Sequence, residues 1–234
     1  MNNLVVLSGA GVSAESGLKT FRDSNGLWAD YKVEDVASID GWHKNKELVL
    51  QFYNSRRAEI KNAEPNLAHT LIAQLEKHYN VTIATQNIDN LHERGGSTNI
   101  IHLHGEITKA RSTKLSDTDY YNFPDKLINI GYNDIHLGDL APDGGQLRPH
   151  IVWFGESVPY LSDAVKAVSK ADILLIIGTS LNVYPAAGLV NYIKDSCSIY
   201  LIDPQEIHIN YHNYHQIKDK ASSGMSQFIN ILNL

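Results

Sequence analysis

The sequence predicts an α/β fold, built as a Rossmann-like, doubly wound parallel sheet with a smaller inserted domain. Short apolar runs recur along the chain and end in glycine or in polar clusters, which is typical of buried parallel strands. Segments with helical spacing of apolar residues separate these runs, and strands that alternate with helices indicate a parallel sheet. The first run also leads into a glycine-rich turn of the kind that binds phosphate groups.

The first predicted strand covers residues 4–7 and opens into Gly9-Ala10-Gly11, with Ala14 shortly after. The first glycine permits a tight turn, the second lets backbone N–H groups approach a pyrophosphate, and Ala14 lets the next helix pack on the strand. The turn then runs into Phe21-Arg22 and a loop, whereas a dehydrogenase carries an acidic residue about twenty positions on. The pattern predicts a phosphate site without hydride transfer, although a turn that needs glycine for its backbone alone also fits.

The middle of the chain alternates helices and strands. Apolar residues recur at helical spacing over 46–61, and Pro65 suits the first turn of a following helix. The run 81–85 predicts the second buried strand, which ends in the polar stretch 86–92, and a short strand follows at 100–103. Because open α/β sheets bind ligands beyond the carboxyl ends of their strands, we expect residues 86–92 at a binding site.

One segment of the second half differs in character. From 107 to 148 the periodicity is poor and Ser, Asp, Asn, Gly and Tyr dominate, which indicates an inserted, loop-rich module. The alternating pattern then resumes, with predicted helices at 161–168, 185–194 and 224–232 and predicted strands at 171–177 and 199–203. The expected domains are a Rossmann-like nucleotide-binding domain of residues 1–30, 65–106 and 149–234, and a small domain of residues 31–64 and 107–148.

Composition excludes several classes of protein. The 234 residues carry a net charge of -6, so nothing suggests a nucleic-acid surface, and no apolar run approaches the length of a membrane span. The single cysteine, Cys197, excludes an internal disulfide framework. The first predicted strand begins within a few residues of Met1, so we expect no signal peptide. We therefore expect a cytoplasmic protein with no nucleic-acid or membrane partner, and we also expect a monomer.

Five motifs, taken together, resemble those of the sirtuins, the NAD-dependent protein-lysine deacylases. They cover nearly the whole chain in the family's order. The motifs are Gly9-Ala10-Gly11 through Phe21-Arg22, Thr85-Gln86-Asn87-Ile88-Asp89, His102-Leu103-His104-Gly105, Val152-Trp153-Phe154-Gly155-Glu156, and Gly178-Thr179-Ser180-Leu181 with Val183 and Pro185.

The resemblance implies NAD as co-substrate, bound across the carboxyl edge of the sheet. The glycine turn and Arg22 would hold the pyrophosphate, and the loop 86–89 would surround the nicotinamide and its ribose. The positions that match the family's NAD site are Gly9, Ala10, Gly11, Ala14, Phe21, Arg22, Gln86, Asn87, Ile88, Asp89, His104, Gly178, Thr179, Ser180, Asn182, Asp203 and Ala221.

The resemblance also implies the reaction. The amide oxygen of an acyl-lysine attacks the ribose carbon as nicotinamide leaves, and the products are nicotinamide, free lysine and O-acyl-ADP-ribose. His104 matches the base for a ribose hydroxyl, and an imidazole suits this role because its usual pKa lies near neutrality. Asn87 and Asp89 match the other catalytic positions. Taken without the motif, His104 reads as a buried structural histidine and the other two as turn formers.

The substrate side of the site rests on two segments. In sirtuins, the run 152–156 and the loop after 178–180 clamp the substrate peptide as an added strand, although the run alone fits plain core. Tyr53 and Arg56 share one helix face and resemble the pair of the class that removes succinyl and malonyl groups, while Arg57 should point elsewhere. The expected substrate-binding residues are Ala37, Tyr53, Arg56, Val152, Phe154, Gly155, Glu156 and Val183.

The sequence departs from the family pattern in its small module. Most sirtuins hold a structural zinc there with four cysteines, and this module has none. We therefore expect no zinc, because His136 and His150 stand too isolated to replace thiolates. The module would instead pack through Tyr120, Tyr121, Phe123, Leu127 and Ile128. Lys19 replaces a frequent proline, and Leu201 replaces a usual asparagine near the adenosine.

Two rival functions stay open beside the deacylase. The same pocket could serve an NAD hydrolase or ADP-ribosyltransferase, or a catalytically idle sensor of NAD or ADP-ribose. The presence of His104 with Asn87 and Asp89 argues against the sensor. The peptide-binding run 152–156 favours the deacylase over the hydrolase, since a hydrolase needs only water.

Overall fold

A computed structural model describes residues 1–20 and 31–234 of the chain. Phe21 and Arg22, both predicted for the NAD site, lie outside them. The larger sheet has six parallel strands in the order β3-β2-β1-β7-β8-β9. These strands are β1 Asn3–Ser8, β2 Asn80–Thr85, β3 Ile100–His102, β7 Ile173–Ile177, β8 Ser198–Ile202 and β9 Tyr214–Ile217. The predicted parallel α/β sheet is confirmed.

Eight α-helices lie in the described parts of the chain, and none of them is both long and apolar enough to span a membrane. They are α1 Val33–Val36, α2 Ile39–Lys44, α3 Lys46–Asn62, α4 Leu67–Gln74, α5 Leu91–Arg94, α6 Asp117–Asn122, α7 Leu161–Val168 and α8 Ala221–Ile231. Short 3-10 helices cover Ala10–Ser16, Leu75–Lys77, Pro124–Lys126 and Ala186–Tyr192.

The strands of the large sheet are buried on both faces. Leu4 and Val6 of β1 belong to a core cluster that includes residues of α4 and α8. Val5 and Leu7 belong to a second cluster, which includes residues of α7. Because successive side chains of a strand point to opposite faces, one strand supplies both cores, as a doubly wound sheet requires.

Three local predictions differ from the structure, and one strand has no predicted counterpart. The turn after β1 continues as the 3-10 helix Ala10–Ser16, and the helix predicted at 185–194 is also 3-10, over Ala186–Tyr192. Pro65 lies before α4 and not in its first turn, because the side chain of Asn66 caps that helix by accepting from the N–H of Ala68 at 2.9 Å. The edge strand β9 was not predicted, since its polar sequence lacks an apolar run.

The small module is more regular than the predicted loop-rich segment. It contains an antiparallel sheet in the order β5-β4-β6, with β4 Gly105–Ser112, β5 Ile128–Asn129 and β6 Leu147–Ile151. Charged residues within β4 and β6 hide the strand pattern from a reading of hydrophobic periodicity.

The predicted packing of this module is only partly right. Tyr120 is fully buried, but Phe123 is 51% exposed. The apolar contacts instead come from a third core cluster, in which Ile107 and Trp153 pack with residues of α3. The module is therefore fixed by its contact with α3 more than by an aromatic core of its own.

Candidate functional site

A cavity of about 940 Å³ lies at the carboxyl ends of the parallel strands. The turns that follow β1, β2, β7 and β8 all contribute to its lining, and α3 and the segment after β6 close its other side. The predicted NAD-site residues that line it are Gly9, Ala10, Gly11, Ala14, Gln86, Asn87, Ile88, Asp89, His104, Gly178, Thr179, Ser180, Asp203 and Ala221. Asn182 is exposed and is not among the lining residues.

The two glycine turns pack directly on each other. The N–H of Gly11 donates to the carbonyl of Gly178 at 2.8 Å, and a Cβ on Gly11 would lie 2.7 Å from the Cα of Gly178. Gly178 has a φ of 64°, and a Cβ there would lie 2.2 Å from the nitrogen of Val12. Glycine is thus required for this close approach, and the N–H of Gly11 is already used. The N–H of Ala10 has no hydrogen-bond partner within residues 1–20 and 31–234.

Ser13 joins the two polar side chains of the loop after β2. Its hydroxyl donates to Oδ2 of Asp89 at 3.0 Å and accepts from Nδ2 of Asn87 at 3.2 Å. The N–H of Leu91 donates to the other oxygen of Asp89 at 3.0 Å. Burial raises the pKa of Asp89, whereas these donors oppose the shift. Sequence reasoning missed Ser13, whose position in the glycine turn was its only signal.

A buried histidine stands behind Ser13. His69 is fully buried, and its Nδ1 accepts from the N–H of Asn66 at 3.2 Å. Since an amide N–H can only donate, Nε2 carries the proton and faces the hydroxyl of Ser13 at 3.5 Å. Burial lowers the pKa of His69 to about 4, so the ring is neutral near pH 7. This support was not predicted from the sequence.

His104 faces the cavity with a defined tautomer. Its Nδ1 lies 3.0 Å from the carbonyl of Gln86, so this nitrogen is the donor and Nε2 is left as an acceptor. Burial lowers the pKa of His104, while the bond to Gln86 opposes that shift. Gln86 in turn donates from Nε2 to the hydroxyl of Thr179 at 3.1 Å, which links two of the turns.

Tyr53 and Arg56 both line the cavity, on the face of α3 that the sequence predicted, and Ala37 lines it as well. The hydroxyl of Tyr53 accepts from Nε1 of Trp153 at 3.0 Å, and burial raises the pKa of this tyrosine. The guanidinium of Arg56 is buried and donates from Nη1 to the carboxylate of Glu59. The sequence did not predict this partner. Nε and Nη2 of Arg56 have no partner in the described parts of the chain.

Arg57 does not line the cavity, as its helix position predicted, and it has a structural role instead. It is fully buried, and it donates from Nε to the carbonyl of Ile107 at 3.0 Å and from Nη1 to Asn54 at 2.7 Å. Burial lowers its pKa to about 10. Arg57 therefore ties α3 to β4.

The stretch 152–156 lines the cavity, but part of its backbone is already paired. The N–H of Phe154 donates to the carbonyl of Ala37 at 2.9 Å, and its own carbonyl accepts from the N–H of Ile39 at 3.4 Å. Phe154 presents a side chain that is 53% exposed. The N–H of Phe154 is therefore not available to a peptide strand, whereas the N–H of Gly155 has no partner in the ranges described.

Glu156 serves mainly to hold this stretch in place. Its carboxylate accepts from both terminal nitrogens of Arg148, at 2.6 and 2.9 Å, and from the N–H of Trp153 at 2.8 Å. The guanidinium of Arg148 also stacks on the ring of Trp153, with 3.4 Å between Cζ and the ring centre. The sequence predicted Glu156 as a substrate contact, but its charged oxygens bind neighbouring protein groups.

Val152 and Val183 do line the cavity as predicted.

The fold and this cavity define an α/β protein of the Rossmann-like class, with a nucleotide-sized site at its strand ends. Comparison with known proteins then gives the family: the Sir2 family profile matches residues 9–185. The NAD-dependent protein deacylase of Bacteroides thetaiotaomicron is 50% identical over 233 residues, which cover 99% of this chain and 98% of that protein. The chain belongs to the Sir2 family.

Solved structures give the same result. A Sir2 homologue in complex with NAD has a TM-score of 0.85 and 36% identity, and the match covers 99% of this chain and 89% of that one. A Sir2 protein with a deacetylated p53 peptide and 3'-O-acetyl-ADP-ribose has a TM-score of 0.80 and 27% identity, with 98% and 93% of the two chains covered.

Proposed function

We propose that this protein removes acyl groups from protein lysines in an NAD-dependent reaction, with succinyl and malonyl groups preferred over acetyl. Relatives named as NAD-dependent protein deacylases support the general activity. The preference is supported by one observation, namely that Arg56 lines the same cavity as His104. The products would be nicotinamide, the free lysine and an O-acyl-ADP-ribose.

The residues at the strand ends fit NAD. The N–H of Ala10, which has no partner in the described ranges, and the hydroxyls of Thr179 and Ser180 offer donors for phosphate and ribose oxygens. The loop 86–89 would surround the nicotinamide, and each carboxylate oxygen of Asp89 retains capacity for a further donor such as a carboxamide. When bound, NAD supplies the ribose carbon that is attacked and the leaving nicotinamide.

His104 would act as the base for a ribose hydroxyl. Its Nδ1 proton is committed to the carbonyl of Gln86, so Nε2 is the atom that takes a proton. Because burial lowers its pKa, the ring is unprotonated at neutral pH and Nε2 can accept a proton. Asn87 and Asp89 line the same cavity and are buried, which holds the reacting end of the site in one geometry.

The preference for acidic acyl groups follows from the chemistry of Arg56. Its Nε and Nη2 have no partner among residues 1–20 and 31–234, so they can form a two-pronged contact with a terminal carboxylate, whereas an acetyl methyl offers no acceptor. Glu59 competes for the same guanidinium, but its side chain is 47% exposed and can be solvated. The ion pair between Arg56 and a substrate carboxylate inside the cavity would therefore be less exposed to water than the pair between Arg56 and Glu59.

Kinetics on matched acetyl-, malonyl- and succinyl-lysine peptides test this preference. Arg56→Met should lower kcat/KM for the acidic peptides by roughly 10- to 100-fold, the range of a charged hydrogen bond, and spare the acetyl peptide. Glu59→Gln removes the competing carboxylate, so it should lower KM for the acidic peptides by about two- to five-fold. The two substitutions should therefore change kcat/KM for the acidic peptides in opposite directions.

Equal loss of both activities in Arg56→Met would make Arg56 structural and the protein a general deacetylase. Mass spectrometry of the same reactions separates the rival functions. Nicotinamide and ADP-ribose formed beside an unchanged peptide would indicate an NAD hydrolase, and ADP-ribose attached to the peptide would indicate a transferase.

Several expectations from the sequence enter the proposal unchanged. The NAD-binding domain would comprise residues 1–30, 65–106 and 149–234, and the small domain residues 31–64 and 107–148. We also propose that acyl-lysine peptides pair with the 152–156 stretch, and that the protein acts as a cytoplasmic monomer. Size-exclusion chromatography with light scattering checks the oligomeric state.

A further inference from the structure

Two histidines hold consecutive carbonyls of the loop that follows β2. His104 donates from Nδ1 to the carbonyl of Gln86 at 3.0 Å, and His102 lies with its Nδ1 3.4 Å from the carbonyl of Asn87. They are separated by Leu103, which is fully buried. The loop of Asn87 and Asp89 is therefore supported on one side by two ring nitrogens.

His102 differs from His104 in what its second nitrogen meets. Its Nε2 lies 2.6 Å from the carboxylate of Glu93, which belongs to α5. Both neighbours of the ring, a carbonyl and a carboxylate, can only accept, so both ring nitrogens must carry protons when both bonds are present. The ring is then an imidazolium, and its side chain is only 9% exposed.

His102 is not among the residues that line the large cavity, so its effect on the reaction must pass through another group. We propose that His102, held by Glu93, is a positioning residue for the deacylation reaction, and that it fixes the carbonyl of Asn87 and with it the loop 86–89. The inference rests on the proposed deacylase activity for its kinetic test. It assigns a role to the first histidine of the 102–105 motif.

The proposal makes the loop sensitive to alkaline pH. Glu93 and the carbonyl of Asn87 raise the pKa of His102 against the opposing effect of burial. A raised pKa means that both hydrogen bonds are fully present below the usual histidine pKa of about 6.5, and that one is lost as the pH rises through the raised value. The titratable groups around the ring are Glu93, Glu106, Asp89, His92, His150, Tyr160 and Asp163.

Two variants test the role of His102. His102→Gln keeps a hydrogen-bond donor but cannot titrate, and Glu93→Gln keeps the shape of the partner but not its charge. For His102→Gln we expect kcat to fall roughly ten-fold with little change in KM for NAD, since misplaced catalytic groups slow the chemical step. The decline of kcat at alkaline pH should disappear in this variant. In Glu93→Gln the same decline should begin at a lower pH, because the carboxylate that raises the pKa of His102 is lost.

A histidine on the surface provides the matched control. His208 is 87% exposed and lies 4.0 Å from Glu206, so His208→Gln should leave kcat and its pH profile unchanged. Wild-type kcat and an unchanged profile in His102→Gln would overturn the proposal. A fall in melting temperature without a change in kcat would also overturn it, because that result describes a purely structural residue.

An NMR titration of the histidine ring resonances needs no activity. The proposal requires the pKa of His102 to lie above about 6.5 in the wild type and to fall in Glu93→Gln. A lower value in the wild type, or no change in the variant, overturns the proposal. Inactivity of the wild type on every acyl peptide would instead refute the proposed function, and the titration would still decide the state of His102.

Discussion

At the scale of single residues, the clearest prediction concerns the base. His104→Ala removes the acceptor nitrogen while leaving the two glycine turns in contact, so kcat should fall by roughly 10²- to 10⁴-fold. Binding of NAD, measured by calorimetry, should largely persist. Deacylation near the wild-type rate would contradict the assignment.

The pH dependence follows from the same residue. Burial lowers the pKa of His104 below its usual 6.5, so the neutral ring persists to a lower pH than in an exposed histidine. Activity should therefore be present above that lowered pKa and be lost as the pH falls through it. A kcat/KM profile between pH 5 and 8 checks the direction, and an acid limb centred above about 6.5 would be inconsistent with it.

The sequence was informative about which residues line the cavity, and much less informative about the hydrogen-bond partners that position these residues. Gly9, Asn87 and Asp89 were predicted because each sits in a short motif after a strand. Ser13 was missed because a hydroxyl in a glycine turn gives no separate signal. Glu59 was missed because an acidic residue on a helix usually faces solvent, and its partnership with Arg56 depends on side-chain geometry that spacing alone does not determine.

At the scale of elements, α3 joins the acyl side of the cavity to the small sheet through Arg57. Arg57→Ala would leave the carbonyl of Ile107 and the side chain of Asn54 without a charged donor. We expect the free energy of unfolding to fall by about 2–3 kcal/mol. Urea denaturation measures this change, and a stability within about 0.5 kcal/mol of the wild type would refute the structural role.

Arg56→Met serves as the comparison, because the two arginines are adjacent on one helix but face different surroundings. We expect Arg56→Met to change the acyl preference with little effect on stability, and Arg57→Ala to show the reverse. Similar effects of both variants on stability and on acyl preference would argue against this division of roles.

Element prediction succeeded where hydrophobic spacing was strong. The helix at 161–168 is found as predicted, and the strand at 171–177 appears as Ile173–Ile177. It failed for β9 and for the small sheet, whose strands contain charged residues that find buried partners only after folding. Arg111 and Arg148 are examples, since both are buried beside the carboxylate of Glu156.

At the scale of the whole molecule, the fold class was predictable because apolar runs and helical segments alternate along most of the chain. The arrangement of the second, antiparallel sheet against α3 was not predictable. Its contacts join Tyr53, on α3, to Trp153, which follows β6, and no local pattern relates residues that far apart in sequence.

Metal independence is a prediction at this scale. No group of metal-ligating side chains occurs within the residues that the structure describes. His150, one of the two histidines considered above as replacements for the zinc thiolates, is buried with its Nδ1 3.4 Å from Nη1 of Arg111, which makes it a poor ligand. We expect purified protein to hold no stoichiometric zinc, and a chelator to leave melting temperature and activity unchanged. Elemental analysis that finds one zinc per chain would contradict this.

The interlocked glycine turns have a consequence for the kinetics of ligand binding. Because Gly11 already donates to Gly178, this end of the site is organised during folding and not when a dinucleotide arrives. The entropy of ordering the turn is therefore absent from the binding step. Association at this end should proceed without a slow rearrangement, so the observed rate should rise in proportion to ligand concentration and show no plateau.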